Sequence, residues 1–482
     1  MDEFKKLNKI LNYQKPQKNK IFFIGIGGIG MSALALYANA EKHTVLGADQ
    51  DLDSNTITLL KKANITIFHE DSVNKEIIAN ADIIVITNTV FSTHRLYQIA
   101  LHLNKKILYR SQFLAQLVIN KKVIGITGSH GKTTTTGITG HLLETGLKNP
   151  TVFVGGIMNN YKKNLLMGSS EYVVIEADDA YKSFLDLNPF ISVITSISYE
   201  HIETYKNLKN IEEAFLKYAK NTSLSGIVII NNDSLFLQEF IKKINHPHII
   251  TYGTSDDADY RIKNIVYSEN KSHFCLFYKN FFLNKYTINL LGIHNIKNSV
   301  AAIIVSLNIE IKSIDIINGL LSYKGIERRF EYKGTYNKLN IYDDYAHHPV
   351  EIDAALSILI IKNIQAYVFF QPHKYIRTKY LWDDFISVFI KYQTYIKKLY
   401  IVDVYSAGDD YDEIYNSQNL AKILNSKIGN VIFVPFDSKF KNLLDYKETF
   451  INEKYKETIL LTLGAGIMNR FANLLVQLEN NN

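Results

Sequence analysis

Cysteine is almost missing from this 482-residue chain: its one thiol, Cys275, lies in the apolar run Phe274-Cys275-Leu276-Phe277. A disulfide framework and a thiolate metal cage within one chain are therefore excluded, and the apolar setting argues against an activated nucleophilic thiolate. A basic tail or stripe is missing too. The 54 Lys and Arg stand against 47 Asp and Glu, a net charge of +7. Heavy use of Lys, Asn, Ile and Tyr accounts for that excess as compositional bias, so no nucleic-acid partner is expected. There is no repeat at solenoid spacing and no low-complexity tract beyond the polar last few residues. One uncharged stretch, the 18 residues from Ile21 to Ala38, is long enough to suggest a membrane span. The four glycines inside it, Gly25, Gly27, Gly28 and Gly30, suit a strand-to-helix turn and make a poor continuous helix. No membrane insertion is expected, and the chain reads as a soluble protein of a reducing compartment, the cytoplasm.

What is present is length and apolar content. With 46% hydrophobic residues and a length well beyond the roughly 250 to 300 residues at which one core stops growing, two or three domains are predicted. Strands are expected at Lys20–Ile26, Thr44–Ala48 and Asp82–Thr87, with a helix over Met31–Ala40. This alternation implies a parallel sheet and an α/β fold. The pattern restarts at Lys122–Thr127, followed by strands at Glu171–Glu176, Pro189–Ile197 and Ile227–Asn231. A third set follows Gly325, at Leu339–Asp343, Gln365–Phe370, Lys398–Val402, Asn430–Val434 and Thr458–Leu463. Domain boundaries are placed near residues 120 and 325, giving 1–120, 121–325 and 326–482.

The first glycine cluster, Gly25-Ile26-Gly27-Gly28-Ile29-Gly30, follows a strand and opens a helix, so backbone N–H groups and a helix N-terminus can meet a phosphate. Asp49 stands about twenty residues on, at the end of the next strand, where an acid can accept a ribose hydroxyl. On the motif alone the ligand is a dinucleotide or another nucleotide diphosphate. The second cluster, Gly128-Ser129-His130-Gly131-Lys132-Thr133-Thr134, is a G-x-x-G-K-T loop between a strand and a helix. Gly128 and Gly131 open the backbone into a phosphate nest, Lys132 supplies a point charge for β and γ oxygens, and the Thr133 hydroxyl can sit on Mg²⁺. Such a site spends ATP or GTP. Two later strands of this region lead to Glu176 and to Glu200-His201, and open parallel sheets bind ligands at the carboxyl ends of their strands. Glu176 and His201 are therefore expected to share a divalent-ion shell beside the loop. In the last region, Asp343-Asp344-Tyr345-Ala346-His347-His348-Pro349 and Gln371-Pro372-His373-Lys374-Tyr375-Ile376-Arg377 again follow strands. The adjacent His347 and His348 point different ways, which disfavours a metal pair, and Arg377 suits orientation of a carboxylate.

Taken in order with Glu176-Ala177-Asp178, Leu291-Gly292-Ile293-His294-Asn295 and Arg328-Arg329-Phe330, these motifs resemble the Mur ligases nearly end to end. The resemblance implies three domains, each on a mainly parallel sheet flanked by helices: Rossmann-like N- and C-terminal domains around a P-loop ATPase-like centre, serving UDP-sugar, ATP and amino acid. It moves the first glycine turn, Gly25 to Gly30 with Asp49, from a dinucleotide to the diphosphate of a UDP-sugar. The pair Asp343 to Pro349 and Gln371 to Thr378 is most similar to the members that join L-alanine to the lactyl carboxylate of UDP-N-acetylmuramate. That implies an acyl phosphate made from ATP with Mg²⁺ held by Thr133, Glu176 and His201. By motif position His294, Asn295, Arg329 and Asp344 would serve the nucleotide, and His348 and Arg377 would hold alanine or the reacting carboxyl. A monomer or weak homodimer is expected. The chain departs from the family pattern at Tyr181, where an Asp is usual, at Glu200 before His201, at Phe68-His69, around His94-Arg95-Leu96, and at Asp409 after Ala407-Gly408. The other readings are a tripeptide-recycling ligase of the same family, an NAD(P)-dependent oxidoreductase, and a nucleic-acid-stimulated ATPase.

Overall fold

The computed structural model describes residues 18–88, 90, 92–446 and 458–480. Three sheets carry the α/β fold. By packing, the chain divides into two compact units, residues up to Arg261 with Val300–Gly319, and Ile262–Ser299 with Leu320 onward.

The first unit holds a five-stranded parallel sheet of β1 (Lys20–Ile24), β2 (Thr44–Asp49), β3 (Thr66–His69), β4 (Ile83–Ile86) and β5 (Lys106–Tyr109), in the order β3-β2-β1-β4-β5. The order reverses beside β1, and that is where a doubly wound sheet opens a crevice at its carboxyl edge. Strand β1 ends at Ile24, two residues earlier than expected, because Gly25 turns the chain at φ 76°. Helix α1 (Ile29–Ala40) follows, so the uncharged run is a strand, a turn and a helix. Among the described residues no helix is long and apolar enough to cross a membrane.

A second sheet in this unit is built from β6 (Lys122–Thr127), β7 (Thr151–Met158), β8 (Lys163–Leu166), β9 (Tyr172–Glu176), β10 (Ile191–Ile194), β11 (Ile227–Asn231) and β12 (Ile249–Gly253), ordered β12-β11-β10-β6-β9-β7-β8. Only β8 is antiparallel to its neighbour. Helix α2 (Arg110–Leu117) precedes β6 and helix α3 (Lys132–Thr145) follows it. One apolar core joins the two sheets, from Ile21 and Phe23 through Tyr37 to Phe153, Val173 and Phe215. At that seam the Tyr37 and Phe153 rings meet edge-on at 5.2 Å. The Asn164 amide there donates to the Ile29 carbonyl at 2.7 Å and to Ser32 Oγ at 3.0 Å. Helix α1, and the glycine turn that opens it, are thus fixed against the second sheet.

The second unit contains most of β13 (Tyr260–Ser268), then β14 (Lys271–Tyr278) and β15 (Phe281–Ile288), an antiparallel hairpin. Alternation along β14 buries Ser272, Phe274 and Leu276 and turns Cys275 to the other face, half-buried and opposite Lys285. The thiol is thus half-buried, where the apolar run around it suggested full burial, because a strand's period of two places neighbours on opposite faces. The third sheet comprises β16 (Glu331–Tyr336), β17 (Leu339–Asp344), β18 (Gln365–Phe370), β19 (Ile396–Val402), β20 (Val431–Val434) and β21 (Thr458–Leu463), in the order β16-β17-β21-β18-β19-β20. Its β18 sends Val368 and Phe370 into one core and Tyr367 and Phe369 into the other. Both faces are covered, as continuous apolar runs in a parallel sheet require. Helices α4 (Ile293–Asn308), α5 (Pro349–Lys362) and α6 (Tyr375–Tyr380) carry the remaining motifs.

Candidate active site

The loop after β6 is shaped by two glycines. Gly128 sits at φ 133°, and a Cβ there would stand 2.2 Å from Thr195 Oγ1. Gly131 caps α3 at φ 82°. The chain beyond β10 holds this loop from one side. Thr195 Oγ1 donates to the carbonyls of Thr127 at 3.1 Å and His130 at 2.6 Å, Ser196 Oγ accepts from His130 N at 2.9 Å, and Ser129 Oγ accepts from Ser198 N at 2.8 Å. Register explains the proximity, since Thr127 of β6 pairs with Ile194 of β10.

Lys132 curls back into the loop. Its Nζ donates to the carbonyls of Gly128 at 2.6 Å and Ser129 at 3.1 Å, and to Asp179 Oδ1 at 2.8 Å. Burial opposes the ammonium charge, but Asp179, Asp178 and Glu200 outweigh it and the Lys132 pKa is raised. For Asp179 burial again opposes ionisation, and Lys132 and His201 overcome it, so its carboxyl is held below the usual carboxylate range. Tyr205 OH donates to the Asp179 carbonyl at 2.6 Å, and the residues after Asp179, Tyr181 and Lys182, turn at φ 53° and 59°.

Glu176 ends β9 in register with Ile126 of β6. It accepts from Thr133 Oγ1 at 2.8 Å and from Gly155 N at 2.7 Å, and a Cβ on Gly155 would meet its carboxylate at 2.7 Å. His201, at φ 51°, groups instead with Asp179 and Glu200, their ligand atoms all within 4.8 Å of one another. Of the shell expected for Glu176 and His201, Glu176 pairs with Thr133, and His201 stands with Asp179 and Glu200. Two carboxylates are hard donors suited to a divalent ion such as Mg²⁺, and the imidazole adds a borderline nitrogen donor beside them. Glu200 Oε1 also lies 3.5 Å from His130 Nε2.

At the first sheet, the amides of Gly25 and Ile26 donate to the Ala48 carbonyl. Asp49, expected at a ribose hydroxyl, accepts from Gly27 N at 2.7 Å, and a Cβ on Gly27 would stand 2.9 Å from that carboxylate oxygen. Gly28 caps α1 without a side-chain partner. A Cβ on Gly30 would stand 3.0 Å from an Arg110 guanidinium nitrogen, and that side chain also lies 3.8 Å from Asp178. Beside the departures at Phe68-His69 and His94-Arg95-Leu96, Glu70 Oε2 accepts from Gln50 Nε2 at 3.2 Å and faces His94 Nε2 at 3.3 Å.

In the second unit, Asp343 and Asp344 at the end of β17 do different work. Asp343 is fully buried on Arg328 Nε at 3.0 Å and Thr462 Oγ1 at 2.6 Å. Asp344 accepts from Phe330 N and Ala346 N, both at 2.7 Å. Burial pushes its pKa up to about 6, against the pull of Arg329. His294, at the start of α4, is pushed down to about 4 by burial and by Arg329, so one guanidinium biases both groups. Asn295 donates to the Leu291 carbonyl at 2.8 Å, holding the helix start. His348 caps α5, its Nδ1 accepting from Val350 N at 3.3 Å, while Glu351 Oε2 accepts from His347 N at 3.1 Å. Arg377 Nη1 donates to His373 Nδ1 at 2.9 Å. The His373 ring stacks on Tyr405 at 5.5 Å and lies 5.6 Å from His347. Burial, with His347 and Arg377, pushes His373 down to about 3, which keeps it a neutral acceptor. Asp409 Oδ2 accepts from Ile376 N at 3.1 Å at the start of α6.

Asp179, Thr195, Ser196, Glu351 and His373 escaped the sequence reading. His373 stood within the quoted Gln371 to Arg377 motif, and for Asp179 the signal available was an acid directly after Glu176-Ala177-Asp178.

Residues 126–306 match the Mur ligase middle domain, and residues 20–122 match the Mur ligase family catalytic domain. A UDP-N-acetylmuramate--L-alanine ligase of Hydrogenobaculum sp. (strain Y04AAS1) is 34% identical over 457 residues, covering 94% of this chain and 97% of the relative. The protein of that name in Rickettsia bellii is 34% identical and covers 98% of both chains. Among solved structures, UDP-N-acetylmuramate-alanine ligase from Thermotoga maritima superposes with a TM-score of 0.79 at 24% identity, over 96% of this chain and 99% of that one. A murein peptide ligase from Psychrobacter arcticus does so with a TM-score of 0.69 at 19% identity, over 96% and 99%. At these identities the structural likeness carries the fold alone.

Proposed function

The chain belongs to the Mur ligase family, and from that premise we propose that it joins L-alanine to the lactyl carboxylate of UDP-N-acetylmuramate, with ATP consumed, in peptidoglycan precursor synthesis. The observation that carries this reading is the loop in which Lys132 bonds two carbonyls and Asp179, in a chain about a third identical to such ligases along nearly its full length.

The lactyl carboxylate attacks the γ-phosphorus, a C–O–P bond forms, and the bond to the ADP oxygen breaks. The amine of alanine then attacks the acyl carbonyl, and the tetrahedral intermediate expels phosphate as the amide forms. Lys132 would exchange Asp179 and the loop carbonyls for β and γ oxygens, and the amides of Gly128 to Thr134 would line the phosphates. The chemistry a bound Mg²⁺ supplies is neutralisation of charge on those oxygens, and Thr133 with Glu176, and His201 with Asp179 and Glu200, would hold it. The turn from Gly25 to Gly30 would take the UDP diphosphate, with Asp49 fixing the turn beside the substrate. His294, Asn295, Arg329 and Asp344 would serve the nucleotide, and His348 and Arg377 the alanine. We assign UDP-sugar, ATP and amino acid to 1–120, 121–325 and 326–482, and place the enzyme in the cytoplasm with its nucleotide substrates, acting as a monomer or weak homodimer. Through the wall it would serve cell shape and division.

The test is phosphate release from ATP and Mg²⁺ with UDP-N-acetylmuramate, comparing L-alanine with glycine, L-serine and the tripeptide as amines. Alanine-dependent release with an amide product is expected. Release driven by the tripeptide alone would make it a recycling ligase.

A further inference from the structure

The hairpin joining β14 to β15 ends in Tyr278-Lys279-Asn280-Phe281-Phe282-Leu283. Aromatic side chains belong in a core, yet Phe281 is 76% and Phe282 58% exposed, with Leu283 and Tyr278 exposed beside them. The two phenylalanines are adjacent on one strand and so point to opposite faces. Each meets a ring on the other strand: Phe282 contacts Phe277 edge-on at 5.5 Å, and Phe281 stands in register with Tyr278. The tip is therefore a small apolar wedge, aromatic on both sides.

Its charges have one sign. Lys279 and Lys285 are exposed on the hairpin, and Lys263 of β13, also exposed, lies 5.8 Å over the Phe277 ring. No acid occurs from Lys271 through Leu291. An apolar apex ringed by lysines matches the chemistry of a bilayer interface, where rings enter the headgroup zone and ammonium groups meet anionic phosphates. A protein partner fits less well. A stable interface takes roughly 800 Å² from each side, more than a two-residue turn presents. Pairing with a second copy along β15, the sheet's edge strand, is opposed by Lys285 and by the bulge at Leu276/Phe277.

We propose that this hairpin tip docks the protein peripherally on an anionic lipid surface, Phe281 and Phe282 entering the interface and Lys263, Lys279 and Lys285 contacting the headgroups. The contact is independent of the ligase reading, since the tip contributes no residue to the site described above.

The full chain would be sedimented with vesicles of phosphatidylcholine alone and of phosphatidylcholine with phosphatidylglycerol, for wild type, Phe281→Ser/Phe282→Ser and Lys279→Glu/Lys285→Glu. Binding confined to the anionic vesicles, weakened by salt, is expected. The aromatic variant should bind at least about tenfold more weakly. Loss of the two lysines should cost about 25-fold, near fivefold for each, and the two introduced carboxylates should add to that, so at least about 25-fold is expected. Phosphate release in solution should be unchanged in both variants, which shows that they fold. Equal binding by wild type and the aromatic variant would overturn the proposal. So would equal binding to neutral vesicles, or self-association of the wild type, without lipid, that the aromatic variant abolishes.

Discussion

The ammonium of Lys132 and the carboxylate of Asp179, 47 residues apart in the chain, meet at 2.8 Å, the lysine side chain 14% and the aspartate 3% exposed. Each offsets the burial of the other, and together they occupy the loop with internal partners where phosphate oxygens would otherwise compensate the lysine. Asp179→Asn should therefore destabilise the nucleotide-free protein by about 3 to 5 kcal/mol, the range for breaking a buried pair, with ATP recovering part of the loss. The sign with pH follows from the shifts. Asp179 is depressed, so its contribution is present above its unfolded pKa and lost as pH falls through the folded one. Lys132 is raised, so its contribution is lost only in strong alkali. Thermal unfolding near neutral pH with and without ATP is the measurement. An equal loss in both conditions would count against any placeholder role for Asp179.

Lys132→Ala removes the charge that the proposed reaction assigns to the transferring phosphoryl group. Phosphate release should fall by about three orders of magnitude or more, in line with losing a principal electrostatic stabiliser, while UDP-N-acetylmuramate still binds in calorimetry. Retained turnover would remove the loop from the chemistry.

His201→Ala and Glu176→Gln separate the two oxygen-rich groups. His201 stands with Asp179 and Glu200, and Glu176 with Thr133 and Gly155. Each substitution should raise the Mg²⁺ concentration needed for half-maximal rate by about tenfold or more. If only Glu176→Gln moves the titration, His201 serves the fold rather than the ion.

Much of this was legible because its signals are local. Strands β6, β11, β18 and β21 occupy the residues expected of them, since apolar runs bounded by turn chemistry survive in any context. The two glycine turns were equally plain. Partner choice was not. Asp49 had the spacing of a ribose acceptor, but its bond to the Gly27 amide comes from how the turn closes, which spacing does not give. Glu176 and His201 were grouped by strand order, but which donors converge depends on the turn through Tyr181 and Lys182 and on His201 itself, three non-glycine residues at positive φ. No pattern of residue types announces that. Cys275 could have been placed correctly from the alternation of Ser272, Phe274 and Leu276, a period-two signal overshadowed by the apolar run.

Asp344 carries a pKa raised to about 6 from an ordinary 3.8, chiefly by burial. A raised carboxyl contributes stability that is full below its unfolded pKa and is lost as pH climbs through the folded value. Between pH 4 and pH 6 this term should weaken the wild type by about 1.4 kcal/mol per pH unit, about 3 kcal/mol in all. Asp344→Asn, which cannot ionise, should lack it. Unfolding free energies of the two proteins measured from pH 4 to pH 7 should converge or cross with that slope. Parallel curves would mean that Asp344 keeps an ordinary pKa.

Arg377 offers its guanidinium to His373 Nδ1 at 2.9 Å, and the imidazole is held by its stack on Tyr405. Because His373 is pushed down to about 3, it is a neutral acceptor near pH 7, and its ring and its carbonyl, the latter at 3.3 Å, together hold Arg377 Nη1. A planar fork aimed in this way suits a carboxylate, and a lysine cannot reproduce it. Arg377→Ala should raise the KM for L-alanine by about ten- to a hundredfold with the KM for ATP little changed, since a charge-assisted hydrogen bond contributes roughly 1.5 to 3 kcal/mol. Arg377→Lys should recover less than a tenth of that loss. His373→Asn, which keeps an acceptor near the Nδ1 position, should stay within a few-fold of wild type, whereas His373→Phe should follow Arg377→Ala in raising only the alanine KM. Steady-state kinetics with each substrate varied in turn decides between them. An ATP effect as large as the alanine effect would move Arg377 from the amino acid to the nucleotide.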